Sequence, residues 1–88
     1  MNLRAATDDP ARADARMLDR AEGVLIALRH CTADAAFGEI VRASKRHRVP
    51  PLRMAAALVA LAQDSPLHGD AADAARYEWG LLLEQVRP

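Results

Sequence analysis

The first half of the chain alternates apolar and polar residues with the three- and four-residue spacing of helices. Asp9 and Pro10 indicate a helix start, because Asp caps helices well and Pro is favoured at the first helical position. The apolar positions that follow predict a first helix to about Arg29: Ala11, Leu18, Ala21, Leu25 and Leu28. Thr32 is the next candidate cap, and it predicts a second helix over about 33–47. The expected buried stripe of that helix is Ala36, Phe37, Ile40 and Val41.

Two further helices follow the proline pair at 50–51, which ends the second helix because proline lacks an N–H donor and restricts the residue before it. The second of these prolines can also open a third helix over 52–63, the most apolar of the four. Its stripe is Leu52, Ala55, Ala56, Leu58, Val59 and Ala62. Segment 64–70 has the composition of a linker, and Asp70 is the expected cap of a fourth helix over 71–88. The apolar positions of that helix are Ala72, Ala75, Trp79, Leu82 and Val86.

The pattern as a whole predicts an all-α fold with short loops. Residues 1–8 are polar, and we expect a flexible N-terminus ahead of a helical domain at 9–63. The fourth helix carries more apolar surface than an isolated tail would, so we expect it to pack on this domain or on a partner chain.

Composition narrows the classes of protein to consider. Twenty alanines and few Thr, Ile and aromatic residues favour helices over sheets. The longest apolar run, 54–62, has nine residues and is too short to span a membrane. A single cysteine and the lack of a signal-peptide pattern lead us to expect a cytoplasmic protein. Dispersed histidines and carboxylates predict no metal site, no cofactor, no small-molecule substrate and no enzymatic activity.

Charge is unevenly distributed along a chain that has twelve basic and twelve acidic residues. No acidic residue lies between Glu39 and Asp64, but five basic ones do: Arg42, Lys45, Arg46, Arg48 and Arg53. We name this set the basic window. A local concentration of cations attracts a polyanion such as a nucleic acid. In the alternative interpretation the cations serve the fold, by complementing the negative end of the second helix and by pairing Glu39 with Arg42 or Arg46.

Several short motifs, taken in order, resemble the ANTAR domain family. They are the run Ala-Glu-Gly-Val-Leu-Ile at 21–26, then Ala35-Ala36-Phe37, Ile40-Val41-Arg42 and Ser44, and then the apolar helix at 55–59. The similarity covers about residues 18–61. It implies a three-helix RNA-binding module of bacterial transcription antitermination regulators, here with an additional C-terminal helix. Family members commonly dimerise through an N-terminal coiled coil and bind paired stem-loops in a leader transcript, which disfavours the terminator hairpin.

The resemblance implies an RNA-binding surface on the first three helices. Its candidate residues are Arg42, Ser44, Lys45, Arg46, Arg48, Arg53 and Gly23. A dimer or core seam would consist of Leu18, Ala21, Leu25, Leu28, Trp79 and Leu82. The chain departs from the family pattern at Glu22 (for a lysine), Ile26 (for a methionine), Arg48 (for an asparagine) and Pro50-Pro51 (for a basic segment).

Some individual residues have two interpretations. Gly23 lies in mid-helix, where glycine is unfavourable relative to alanine, so it allows either a close helix crossing or the approach of an RNA backbone. Ser44 can hydrogen-bond to its own helix instead of to RNA. Phe37 and Trp79 are assigned to the core, which leaves Tyr77 as the aromatic residue available for stacking on a base.

We therefore expect an RNA-binding regulator that binds structured leader RNA, acts on transcription termination and forms a homodimer. Residues 1–8 leave no space for a sensor domain, so we expect a stand-alone domain that is controlled by a signalling partner protein, by its concentration or by dimerisation. One alternative is a degenerate ANTAR-like module for protein interaction or dimerisation without RNA binding. Another is a helical domain that binds DNA through the basic window. Cover of Arg42, Lys45 and Arg46 by the fourth helix would favour the interaction module.

Overall fold

The computed structural model describes residues 9–86, which form four α-helices joined by short loops. The helices are α1 (Pro10–Arg29), α2 (Ala33–His47), α3 (Pro51–Ala62) and α4 (Asp70–Glu84). This part of the chain contains no strand, and the predicted all-α class is confirmed. The flexible N-terminus predicted at 1–8 lies outside the described residues. None of the four helices is both long and apolar enough to cross a membrane.

The predicted helix-start signals act where the sequence places them. The Asp9 side chain accepts a hydrogen bond from the Ala11 N–H at 3.0 Å. Thr32 Oγ1 accepts one from the Ala35 N–H at 3.1 Å. Pro51 lies in the first turn of α3. Each signal satisfies or removes an N–H donor that has no partner at a helix start, so the first three helices begin close to the predicted residues.

The central helix of the bundle is α3, which packs against the other three helices. Its buried residues are Met54, Ala55, Ala57, Leu58 and Val59. Buried residues from α1 and α2 surround them: Ala21, Leu25, Ala36, Ile40, Ala43 and Ser44. A helix that is apolar on most of its sides is typical of one enclosed by other helices, and this explains why the third pattern is the most apolar of the four.

Within the chain, α4 packs on α3 and buries Trp79 completely. Trp79 Nε1 donates a hydrogen bond to Glu39 Oε2 at 2.7 Å. Arg29 Nε lies 2.8 Å from the other oxygen of the same carboxylate. One side chain on α2 therefore connects α1 with α4. The pairing of Glu39 with Arg42 or Arg46, which belongs to the alternative interpretation of the basic window, is wrong, because the carboxylate is directed to Arg29 and Trp79 instead.

Three predicted positions need correction. Phe37 is 45% exposed, because Ala36 takes the core-facing position and the next helical residue points about 100° away. Val86 is exposed because it follows the end of α4, and Leu83 is buried instead. The N-cap residue of α4 is Gly69, and Asp70 is the first helical residue; its carboxylate accepts a hydrogen bond from the Ala71 N–H.

A second contact attaches α4 to α2 beside Trp79. Glu78 accepts hydrogen bonds from Arg46 Nη2 at 2.7 Å and from Arg46 Nε at 3.1 Å. Its other neighbour is His47 Nε2, at 2.8 Å. The Glu78 side chain is 12% exposed, whereas that of Arg46 is 52% exposed. The hydrogen bond from Arg46 lowers the pKa of Glu78 more than burial raises it, and His47 adds to the lowering.

Replacing Trp79 by Phe should destabilise the fold. The smaller ring leaves buried space, and the loss of the indole N–H leaves the Glu39 carboxylate with one donor fewer, so we expect the free energy of unfolding to fall by about 2 kcal/mol. Urea denaturation followed by circular dichroism measures this change. Leu81→Ala is the control, because Leu81 is 77% exposed on the same helix and its loss should change stability by less than about 0.5 kcal/mol. Equal stability of Trp79→Phe and the parent would contradict the role of the Glu39 contact.

Replacing Glu78 by Gln should lower the free energy of unfolding at pH 7, and this difference from the parent should disappear in acid. A carboxylate whose pKa is lowered by folding stabilises the native state above its unfolded pKa, and this contribution is lost as the pH falls through the folded pKa. The two proteins should therefore converge only at a pH below the ordinary pKa range of glutamate, because the folded pKa of Glu78 is lowered. Glu84→Gln removes an exposed carboxylate of α4 that forms no ion pair within residues 9–86, and its difference from the parent should not vary in this way. A difference for Glu78→Gln that does not vary with pH would refute the ion-pair role.

Candidate nucleic-acid interface

The exposed side of α2 carries two cations of the basic window that have no carboxylate partner among the described residues. Arg42 and Lys45 lie three positions apart, which places them on one face of the helix. Both side chains are exposed, and neither forms an ion pair with any of residues 9–86. Their charges are therefore accessible to an anionic ligand from solvent.

Gly38 gives Arg42 room to fold back along α2. A methyl group at position 38 would lie 3.0 Å from Arg42 Nη1, so the guanidinium occupies the space that a larger residue would fill. The two residues are four positions apart and are neighbours on the helix surface. Glycine within a helix costs about 1 kcal/mol relative to alanine. Here it allows the Arg42 guanidinium to lie close to the helix backbone.

Two other cations of the basic window are paired with α4. Arg46 is bound by Glu78, and Arg53 Nη2 lies 2.7 Å from Asp70 Oδ1. The hydrogen bond from Arg53 is the main reason that the pKa of Asp70 is lowered, and the backbone N–H of Ala71 adds to the effect. These carboxylates border the basic window and neutralise part of it.

The first three cations of the basic window all remain accessible beside α4. Arg42, Lys45 and Arg46 are exposed, although Arg46 is paired with Glu78. In the described part of the chain α4 therefore does not cover this face, whereas such a cover would have favoured the interaction module. Instead, carboxylates of α4 pair with Arg46 and Arg53 and leave Arg42 and Lys45 unpaired.

Arg48 ends α2 in the left-handed backbone region, with φ 55° and ψ 41°. Its N–H donates a hydrogen bond to the Ser44 carbonyl, as is common for a residue that terminates a helix. Glycine and asparagine adopt this conformation more readily than arginine does. The Arg48 side chain is exposed and forms no ion pair within residues 9–86, so it extends the unpaired cations past the end of α2.

Ser44 and Gly23 occupy very different environments. Ser44 is buried, and its hydroxyl donates a hydrogen bond to the Val41 carbonyl at 2.9 Å, so it lies beneath the exposed face. Gly23 is exposed on α1, and a methyl group at this position would have no neighbour within 4 Å. A close crossing with another helix of the described chain therefore does not explain Gly23.

The six residues predicted for a dimer or core seam lie in or beside the core of this chain. Ala21, Leu25 and Trp79 are completely buried. Leu18, Leu28 and Leu82 are partly buried and pack against the core. Their apolar surface is thus used largely within one chain.

Glu78 is a partner of the basic window that no sequence pattern predicts. Glu78 lies 32 positions after Arg46, and no local spacing signals a contact over that separation. The same is true of Glu39 and Trp79, which are 40 positions apart. The available signal was coarser: the segment after Asp64 is net negative, whereas the basic window is positive.

The described residues offer no metal centre. Nowhere in residues 9–86 do three His, Cys, Asp or Glu side chains come together as a metal ion would require. Cys31 is a free thiol whose Sγ lies 3.8 Å from the Leu25 carbonyl oxygen, at the edge of the core.

Comparison with known proteins identifies the family. The model of the ANTAR domain matches residues 10–59, from the start of α1 into α3. No curated protein and no solved structure gives a significant match. The family match covers more than half of the chain and agrees with the helical architecture. The chain therefore belongs to the ANTAR domain family of regulatory RNA-binding domains associated with transcription antitermination.

Proposed function

We propose that this protein binds structured leader RNA through the exposed face of α2 and thereby influences transcription termination. The observation that carries the proposal is the pair Arg42 and Lys45, exposed and without a carboxylate partner in residues 9–86, in a domain of an RNA-binding family. Phosphate groups of RNA supply the matching anions, and the release of their counterions favours binding. Arg48 extends this surface beyond α2.

The regulatory effect follows from selective binding of one RNA fold. A ligand that binds one of two conformations shifts the equilibrium towards that conformation by its difference in affinity. A stem-loop held on α2 is stabilised relative to the terminator hairpin that competes for the same nucleotides. The protein needs no chemical step for this action, and it acts in the cytoplasm, where the transcript is made.

A homodimer is part of the proposal. Residues 10–16 of α1 are all exposed, so the first two turns of this helix contribute no residue to the core of the described chain. Members of the family commonly dimerise through an N-terminal coiled coil, and this supports a dimer contact at this end. A dimer presents two basic faces, and two linked contacts bind a target with paired stem-loops more tightly than one. A signalling partner protein could then act by controlling this association.

The interaction module without RNA binding is the second candidate. The pairing of Arg46 and Arg53 with α4 favours it, because both cations already have carboxylate partners. Glu22 also favours it, since it puts a negative charge where the family pattern has a lysine. The two candidates differ in the RNA affinity of the parent protein.

Removal of both unpaired cations, Arg42→Ala with Lys45→Ala, should weaken RNA binding on the order of 10-fold. The loss of two phosphate contacts should also reduce the slope of log affinity against log salt by about 1.4–1.8. Gel shifts with tandem stem-loop RNA, single hairpins and duplex DNA at several salt concentrations measure both quantities. Circular dichroism should show an unchanged fold, because both side chains are exposed.

Arg76→Ala is the control for a general loss of positive charge. Arg76 lies on α4 two positions before Glu78, which places it on the opposite side of that helix, and it pairs with Asp73. Its removal should leave the salt slope unchanged. An equal loss for Arg76→Ala and the double variant would mean that α2 is not the binding face. Absence of RNA binding by the parent, even at low salt, would support the interaction module.

Gly23→Ala should stabilise the fold and weaken RNA binding. Neither Gly23 nor Gly80 has a close neighbour that a methyl group would displace, so each alanine variant should gain about 0.8 kcal/mol of stability. If RNA approaches the α1 backbone at Gly23, only Gly23→Ala lowers the RNA affinity. Thermal denaturation and gel shifts measure the two effects, and sedimentation checks that both variants keep the oligomeric state of the parent. Equal RNA affinities of the two variants would exclude Gly23 from the interface.

A further inference from the structure

One aromatic side chain of α4 lies exposed at the edge of the basic window. Tyr77 is 81% exposed. Its ring centroid is 5.4 Å from that of His47, and the two planes make an angle of 67°, an edge-to-face contact. The ring therefore has a defined neighbour on α2, yet most of its surface faces solvent.

The groups next to Tyr77 are held in place by Glu78. The Glu78 carboxylate contacts His47 Nε2 at 2.8 Å, which fixes the imidazole against which Tyr77 rests. It also binds Arg46 through both Nε and Nη2, the two-point geometry that orients a guanidinium plane. An aromatic ring, an imidazole and an oriented guanidinium thus lie together, and Arg46 follows directly on the unpaired Lys45.

This combination suits an unpaired nucleobase. Sequence-specific RNA recognition mostly concerns loop bases that stack on aromatic rings or on guanidinium planes. A phosphate-binding surface alone would hold a stem without contacting its loop. A lone exposed tyrosine is ordinary on a protein surface; the position of Tyr77, against His47 and near the oriented guanidinium of Arg46, distinguishes it.

We propose that Tyr77, supported by His47 and Arg46, stacks on one unpaired loop base of the RNA whose phosphates bind Arg42 and Lys45. This inference rests on the proposed function and adds a base-contacting site to it. The site lies on α4, after the family match at 10–59. The aromatic residue of the first three helices, Phe37, lies ten positions before His47, about 15 Å along α2, and is too distant to take part in this site.

The test compares Tyr77→Ala, Tyr77→Phe and Leu81→Ala in binding a pool of tandem stem-loop RNAs with randomised loops. Tyr77→Ala should weaken binding about 5- to 160-fold, the range for loss of one base–aromatic stack, with an unchanged salt slope because no phosphate contact is lost. Tyr77→Phe keeps the ring and should bind like the parent. Leu81→Ala should also bind like the parent, because Leu81 is as exposed as Tyr77 but lies one turn further along α4.

A second RNA pool with abasic loops separates stacking from other roles. On this pool the parent and Tyr77→Ala should bind equally, because no base is present to stack. In the intact pool, 2-aminopurine in the loop should change its fluorescence on binding to the parent and not to Tyr77→Ala.

Each contrary result has a distinct meaning. A parent that binds the intact pool no better than Tyr77→Ala overturns the stacking site and leaves the proposed function standing. If Tyr77→Ala loses as much affinity for abasic loops as for intact ones, or if Leu81→Ala loses as much as Tyr77→Ala, Tyr77 acts in folding or in a protein contact. Either result also overturns the stacking site. A parent that binds neither pool overturns the proposed function, and the stacking site with it.

Discussion

The arrangement of the four helices depends on one carboxylate, that of Glu39. It lies on α2, pairs with Arg29 of α1 and accepts the indole N–H of the completely buried Trp79 of α4. A buried donor without its acceptor is costly, so this bond fixes the rotation of α4 relative to α2. With Trp79 fixed, the preceding residue Glu78 reaches the end of α2. Tyr77 then lies against His47.

Sequence reasoning predicted the helices well because their limits depend on local chemistry. A capping side chain or a proline changes the backbone within a few residues, and Asp9, Thr32 and Pro51 did so where expected. It failed where neighbours in space decide. Phe37 fits the apolar period as well as Ala36 does, but the packing of the helices buries Ala36 and leaves Phe37 45% exposed.

In the candidate site, too, some features follow from the local sequence and others depend on tertiary packing. The basic window is a property of the sequence, and its unpaired cations on α2, Arg42 and Lys45, were already among the predicted contacts. The pairing of Arg46 with Glu78 depends on tertiary packing over 32 positions, so composition could not reveal it. Arg48 is a mixed case: the asparagine of the family pattern is explained by a left-handed helix end, a conformation that asparagine tolerates and that arginine adopts here with some strain.

The family match ends within α3, yet α4 determines which cations of the basic window are unpaired. Asp70 and Glu78 pair with Arg53 and Arg46, and no carboxylate of α4 pairs with Arg42 or Lys45. A guanidinium paired with a carboxylate keeps its charge, but the pair as a whole is neutral and fixed in orientation, whereas an unpaired guanidinium keeps its full attraction for phosphate. On a surface with both kinds of cation, the unpaired ones contribute affinity through their charge. The paired ones contribute selectivity through their fixed orientation. On this argument the proposed RNA surface belongs to the four-helix unit, and a protein reduced to the matched segment would retain cations without their ordering.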